Sequence, residues 1–223
     1  MIRKANGAED KTMERRTFTA KSGLTLNYVI HKPGQTDAKR PAIVYLHGTD
    51  GCGSNVDTLF RIESLPSYVN EGKVTIPDGA MLIAPQCPKG MNWNKIAGEV
   101  VELIDKLTAE DGADGEHIAL TGASLGGMGT FSIAIKYSER FSCLVPVCGS
   151  VDPLSCALLT KMPVWIFHGE LDRGMGFSVI QAHEMINRCG GNSKLTLLSG
   201  QGHEIRWIYH SDRFDIINWM LAQ

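Results

Sequence analysis

The ten residues Leu120-Thr121-Gly122-Ala123-Ser124-Leu125-Gly126-Gly127-Met128-Gly129 constrain this chain more than any other stretch. An apolar run from His117 to Thr121 leads in, and a helix-compatible run from Met128 to Tyr137 leads out. Between them Ser124 sits in a G-x-S-x-G frame. Between a strand and a helix, such a frame sets the serine on a sharp, strained turn with its hydroxyl pushed out of the sheet. Gly122 and Gly126 would leave room for that turn and for close strand–helix packing. The N–H groups of the helix that starts there would face any negative charge formed beside Ser124. The frame alone is weakly specific. With 24 glycines in 223 residues, shuffled sequence yields one in about one chain in six. An idle glycine-rich turn is the competing reading, so context must decide.

The bulk composition narrows the classes. A chain of 223 residues can form one α/β domain with a full core. Hydrophobic residues at 43% and charged residues at 21% suit a soluble globular protein. A formal charge of −2, with no basic cluster beyond pairs such as Arg15-Arg16, argues against nucleic acid as a partner. No apolar run approaches a membrane span. Residues 1–15 read as a polar tail ahead of a single domain over 16–223, and Met1 to Arg16 lacks the apolar core of a signal peptide. The six cysteines, at 52, 87, 143, 148, 156 and 189, show no C-x-x-C pair and no zinc spacing. They read as reduced, which makes a cytoplasmic location the expectation; a removed signal peptide would make the protein secreted.

Hydrophobic patterning supplies the architecture. Residues 16–21 and 24–31 alternate and are joined by Ser22-Gly23, a β-hairpin pattern. Apolar runs at 41–46, 80–85, 117–121, 142–147, 163–167 and 194–198 have the length of buried parallel strands. Between them fall helical segments: 54–70 in two pieces broken at Pro66, 96–107, 126–138, 177–189 and 206–221. A hairpin followed by alternating strands and helices predicts a mostly parallel, eight-stranded, doubly wound sheet with helices on both faces.

In such a sheet, ligands bind at the carboxyl ends of the strands. Four loops there carry chemically useful residues. Ser124 follows the fifth strand, Asp172 the seventh and His203 the eighth, while His47-Gly48-Thr49-Asp50-Gly51-Cys52-Gly53 follows the third. The order Ser, Asp, His differs from that of the chymotrypsin and subtilisin types.

On these residues the chain resembles the α/β-hydrolase superfamily, from about residue 16 to the end. The matching stretches are Val44-Tyr45-Leu46-His47-Gly48, Ala84-Pro85-Gln86-Cys87-Pro88, Leu120 to Thr130, Phe167 to Asp172 and Gly202-His203. They look most like the esterase branch: the phospholipase/carboxylesterase group and its feruloyl-esterase-like and "predicted peptidase" relatives. The resemblance implies ester hydrolysis through an acyl-enzyme, with no cofactor; the short Gly149 to Met162 connection, not the resemblance, is what predicts no large cap domain. It also implies the oxyanion donors, the backbone N–H groups of Leu125 and Thr49, and places tryptophans beside the pocket, here Trp93 and Trp207.

The chemistry of the three side chains is separable. Ser124 is a poor nucleophile until a base takes its proton, and histidine, as at His203, is the side chain most often used as that base. Asp172 would fix the imidazole tautomer and stabilise imidazolium. Glu170 and Asp152 compete with Asp172 for the acid's place, and His183 and His210 compete with His203. His47 and His168 read as structural hydrogen-bonding residues. Arg173-Gly174-Met175-Gly176 stands where many relatives carry a Val-Pro pair, and Glu204 follows the base candidate directly. H-E-x-x-H is absent, so no metal site is expected.

Only 14 residues, Gly149 to Met162, join the sixth and seventh strands, where lids of this fold often sit. That leaves room for one short helix and favours short-chain or soluble esters, including acyl groups on sugars, over lipids. A carboxylesterase acting on a small-molecule ester is the leading reading. A small serine peptidase of the same fold and a non-catalytic small-molecule receptor or scaffold are the alternatives. The sequence leaves the oligomeric state open.

Overall fold

The computed structural model describes residues 13–32, 34 and 38–223. The expected polar tail lies outside the described residues up to position 12. Glu14 and Arg15 already belong to the first strand.

Eight strands form one sheet: β1 (Glu14–Thr19), β2 (Thr25–His31), β3 (Arg40–Leu46), β4 (Met81–Pro85), β5 (Ala113–Ala123), β6 (Cys143–Val147), β7 (Pro163–Gly169) and β8 (Asn192–Leu198). Their spatial order is β1-β2-β4-β3-β5-β6-β7-β8. β2 runs antiparallel to both of its neighbours. The pairs from β4 through β8 are parallel. The helices are α1 (Leu65–Asn70), α2 (Ala97–Glu110), α3 (Leu125–Lys136), α4 (Arg173–Arg188) and α5 (Ile216–Leu221).

Buried strands read as continuous apolar runs because both of their faces are covered. In β3, Ala42, Val44 and Leu46 enter the core layer beneath α2, α3 and α4. Ile43 and Tyr45 enter the opposite layer, beneath α1 and α5. Consecutive side chains point to opposite faces, so one apolar run feeds two cores. No helix among the described residues is long and apolar enough to cross a membrane.

The helices depart furthest from the sequence reading at three places. Pro66 lies in the first turn of α1 rather than at a break; Ser64 caps that helix, its hydroxyl accepting the Ser67 N–H at 3.1 Å. A first-turn N–H has no helical partner to lose, which is why proline suits that place. α4 begins at Arg173, four residues before the expected Phe177. The stretch expected as one helix over 206–221 is a 3-10 helix, Arg206–His210, followed by α5. Asp215, in a left-handed conformation (φ 49°), turns the chain between them.

Candidate active site

β5 delivers Ser124 to the sheet's carboxyl edge, and α3 starts at the next residue. The serine backbone is strained, at φ 58° and ψ −116°, a conformation that costs about 1–3 kcal/mol and persists only where its surroundings enforce it. The surroundings do enforce it. A Cβ on Gly126 would overlap the Leu46 carbonyl, and one on Gly122 would lie 2.5 Å from the same oxygen. The Ser124 N–H is held by the Val147 carbonyl at 2.9 Å. The glycines of the frame are therefore required by close approach of β3, β5 and α3.

Three loops from three strands converge here. Ser124 Oγ–H donates to His203 Nε2 at 2.8 Å, and His203 Nδ1–H donates to Asp172 Oδ2 at 2.6 Å. The Asp172 side chain is mostly buried (12% exposed) while that of His203 is one-third exposed (32%), so water reaches the imidazole but barely the carboxylate. The competing acids point elsewhere. Glu170 accepts from the Ser199 hydroxyl and the Gly200 N–H. Asp152 accepts from the Leu154 N–H and the Ser155 hydroxyl at the head of the 3-10 helix Pro153–Leu159.

Leu125 and Thr49 each open a helical segment, so their N–H groups have no intrahelical acceptor. The Thr49 loop lies against the elbow: a Cβ on Gly48 would sit 3.5 Å from the Ser124 Cβ and 2.9 Å from Asp50 Oδ1. His47, fully buried, supports this loop. Its Nδ1–H donates to the Gly48 carbonyl at 2.6 Å, and its Nε2 accepts the Cys87 N–H at 2.9 Å. Burial pushes its pKa down to about 4, against weaker upward effects of the Gly48 carbonyl and Asp50.

The two tryptophans part company. Trp93 is fully buried; its Nε1–H donates to the His47 carbonyl at 3.0 Å and its ring stacks edge-on to His47. It forms the floor of a cavity of about 380 Å³ that Leu125, Met128, Ile135 and Val151 also line. Trp207 packs into the layer beneath α1 and α5, beside Phe214, and is not part of that cavity.

His168 makes the kind of structural contact expected of it, while two further neighbours, Cys148 and Arg206, were given no part in the site from sequence. His168 Nε2 lies 3.5 Å from Asp172 Oδ2 and 3.2 Å from the Asp172 carbonyl. Cys148, at the end of β6, has a left-handed backbone (φ 46°), and burial pushes its thiol up to about 12. Arg206 binds Asp50 Oδ2 and Glu204 Oε2, both at 2.6 Å, and the Glu63 carbonyl at 2.9 Å. It thereby ties the His203 loop to the Thr49 loop. Cys148 sits in an apolar run, and nothing in residue spacing marks Arg206, so neither carries a sequence signal.

Among curated proteins, none matches the chain. Among solved structures, a thermostable esterase superposes with a TM-score of 0.81 at 24% identity, covering 95% of this chain and 63% of its own. This chain thus spans under two thirds of that esterase's length. A ferulic acid esterase superposes with a TM-score of 0.72 at 14% identity, covering 95% and 98%. S-formylglutathione hydrolase from Staphylococcus aureus gives 0.70 at 17%, covering 94% and 96%. At these identities the likeness shows the α/β-hydrolase fold. The prolyl oligopeptidase family model matches residues 90–201, a stretch that holds both Ser124 and Asp172 and ends two residues before His203. That match spans half of the sequence, and the chain belongs to the prolyl oligopeptidase family within the α/β-hydrolase superfamily.

Proposed function

We propose that the protein is a serine hydrolase of carboxylic esters, a carboxylesterase that works through an acyl-enzyme. The observation that carries this reading is the relay from Asp172 to His203 to Ser124 at 2.6 and 2.8 Å. His203 takes the Ser124 proton as the hydroxyl attacks the ester carbonyl, then gives it to the leaving alcohol. Asp172 keeps Nδ1 protonated, so the Nε2 lone pair faces the serine. The N–H groups of Leu125 and Thr49 receive the oxyanion, each worth about 3 kcal/mol in the transition state. A second turn, with water in place of serine, releases the acid.

The substrate in this reading is a small ester with a short or soluble acyl group, including acyl groups carried on sugars. The connection after β6 holds one 3-10 helix of seven residues, which supports an open site. The neighbours named as a thermostable esterase and a ferulic acid esterase also support ester substrates. A peptidase is the second reading, favoured by the family match.

A fluorophosphonate probe and a p-nitrophenyl ester series test the proposal. The probe is expected to label wild type and not Ser124→Ala, and the folded Ser124→Ala protein is expected to lose turnover. The kcat/KM is expected to peak at acetyl to butyryl esters. A steady rise toward palmitoyl, with activation by lipid surfaces, would reject the open-site reading. Faster cleavage of peptide p-nitroanilides than of every ester would give the function to the peptidase reading.

A further inference from the structure

We propose that Cys148, Asp172 and His203 form a binding site for one soft divalent cation, of the zinc or cadmium class, whose occupancy switches the triad off. The three residues come from the ends of β6, β7 and β8 and are 24 and 31 positions apart, so only the fold unites them. One ligand atom from each lies within 4.8 Å of the other two. In a tetrahedral site with metal–sulfur bonds of about 2.3 Å and metal–nitrogen bonds of about 2.0 Å, ligand atoms stand roughly 3.5 Å apart. His203 Nδ1 and Asp172 Oδ2, now 2.6 Å apart, open by about 1 Å, and the wider spacings, none above 4.8 Å, close by about 1 Å, to complete the site.

The donor set selects the ion. Thiolate and imidazole suit zinc and its softer relatives, whereas magnesium and calcium demand oxygen ligands. Thiolate and carboxylate together balance a charge of two, so the buried site becomes neutral. Three protein ligands leave a fourth position for water, on the side where His203 is exposed.

Cys148 is held for this geometry. Its N–H donates to the Phe167 carbonyl at 2.9 Å. The next residue is locked against α3: a Cβ on Gly149 would meet Met128 N at 2.7 Å. A buried cysteine can serve as mere apolar filling. Filling does not call for a side chain on a left-handed backbone, where glycine avoids the penalty. His168, 3.5 Å from the Asp172 carboxylate, supplies the outer support that ligating carboxylates usually have.

Inhibition follows from the imidazole's two nitrogens. A cation on Nε2 consumes the lone pair that would take the Ser124 proton. A cation on Nδ1 displaces that hydrogen, and the neutral ring then carries its proton on Nε2. Either way Ser124 loses its base. The thiol proton leaves to solvent, and a chelator reverses every step.

The switching part rests on the esterase reading; the binding part does not. Cadmium titration of metal-free protein reads binding directly, through the ultraviolet sulfur-to-cadmium charge-transfer band. Ser124→Ala, which keeps all three ligands, is expected to show the same band as wild type. Cys148→Gly, which suits the left-handed backbone, is expected to lose one thiolate's share of it. The metal concentration that halves activity, relative to each variant's own metal-free rate, is expected to rise by about tenfold or more. Cys148→Ser carries the same comparison if the glycine variant does not fold. The proposal is overturned if the cysteine variants keep the full band, or if zinc and cadmium halve their activity at the wild-type concentration. Failure of the metal-free enzyme to hydrolyse esters would sink the esterase reading instead, with the band still deciding the site.

Discussion

Asp172 meets His203 at 2.6 Å because three hydrogen bonds fix its short approach loop. Glu170 N–H donates to the Leu198 carbonyl, Leu171 N–H to the Gln201 carbonyl and Asp172 N–H to the Gly169 carbonyl. The first two bonds join this loop to the end of β8 and the loop after it, so acid and base are positioned by a shared edge. Asp172→Asn is expected to lower kcat by about 10⁴ with the fold intact, because an amide favours the wrong imidazole tautomer. Glu170→Gln is expected to stay within a few-fold of wild type. Steady-state kinetics on both variants checks this, and the reverse ranking would move the acid's role. At this scale the strand-order argument made Ser124, Asp172 and His203 legible. Cys148 was not legible: a cysteine inside Cys143-Leu144-Val145-Pro146-Val147-Cys148 reads as a small hydrophobe, and its left-handed turn leaves no mark in composition. Trp93 was legible as a neighbour of the site but not as its support, since the bond to the His47 carbonyl is long-range.

Between elements, Arg206 is the main strap across the site. Its side chain is 14% exposed and it heads the 3-10 helix that follows His203. Asp50, its partner, holds Oδ1 2.9 Å from where a Cβ on Gly48 would stand, in the loop whose Thr49 N–H the oxyanion would use. Removing the guanidinium leaves a carboxylate unbalanced next to developing negative charge. Arg206→Met is expected to lower kcat/KM by about tenfold, equivalent to ~1.4 kcal/mol. Asp50→Asn added to Arg206→Met is expected to recover part of that loss. A double variant whose loss equals the product of the two single losses would show that the pair is not coupled. The helix that Arg206 opens was misread as the start of a longer one because Trp207, Ile208, Phe214, Ile216 and Ile217 keep a near-helical spacing. Ser211, Asp212 and the left-handed Asp215 interrupt it. The early start of α4 escaped for the opposite reason. Gly174 and Gly176 depress helix propensity, yet Gly176 packs 3.4 Å from the His168 ring, counting from where a Cβ would stand.

Across the whole molecule, parallel topology was legible because buried strands must be apolar on both faces, while the balance of charge and burial that holds the loops was not. His47 shows what that balance does to stability. Its Nε2 must stay unprotonated to accept the Cys87 N–H, which links the end of β3 to the chain leaving β4. Burial holds its pKa at about 4, below the usual 6.5. Between those values the unfolded chain binds a proton that the native state refuses, so stability rises with pH through this window. The contribution is complete above pH 6.5 and is lost progressively as pH falls toward 4. A shift from 6.5 to about 4 corresponds to ~3 kcal/mol at most. Urea unfolding at pH 7.5 and pH 4.5 is expected to show that loss in wild type. His47→Gln keeps a donor and an acceptor but does not titrate; it is expected to be less stable at pH 7.5 and to lose less on acidification. An equally steep acid loss in His47→Gln would assign the sensitivity to other groups.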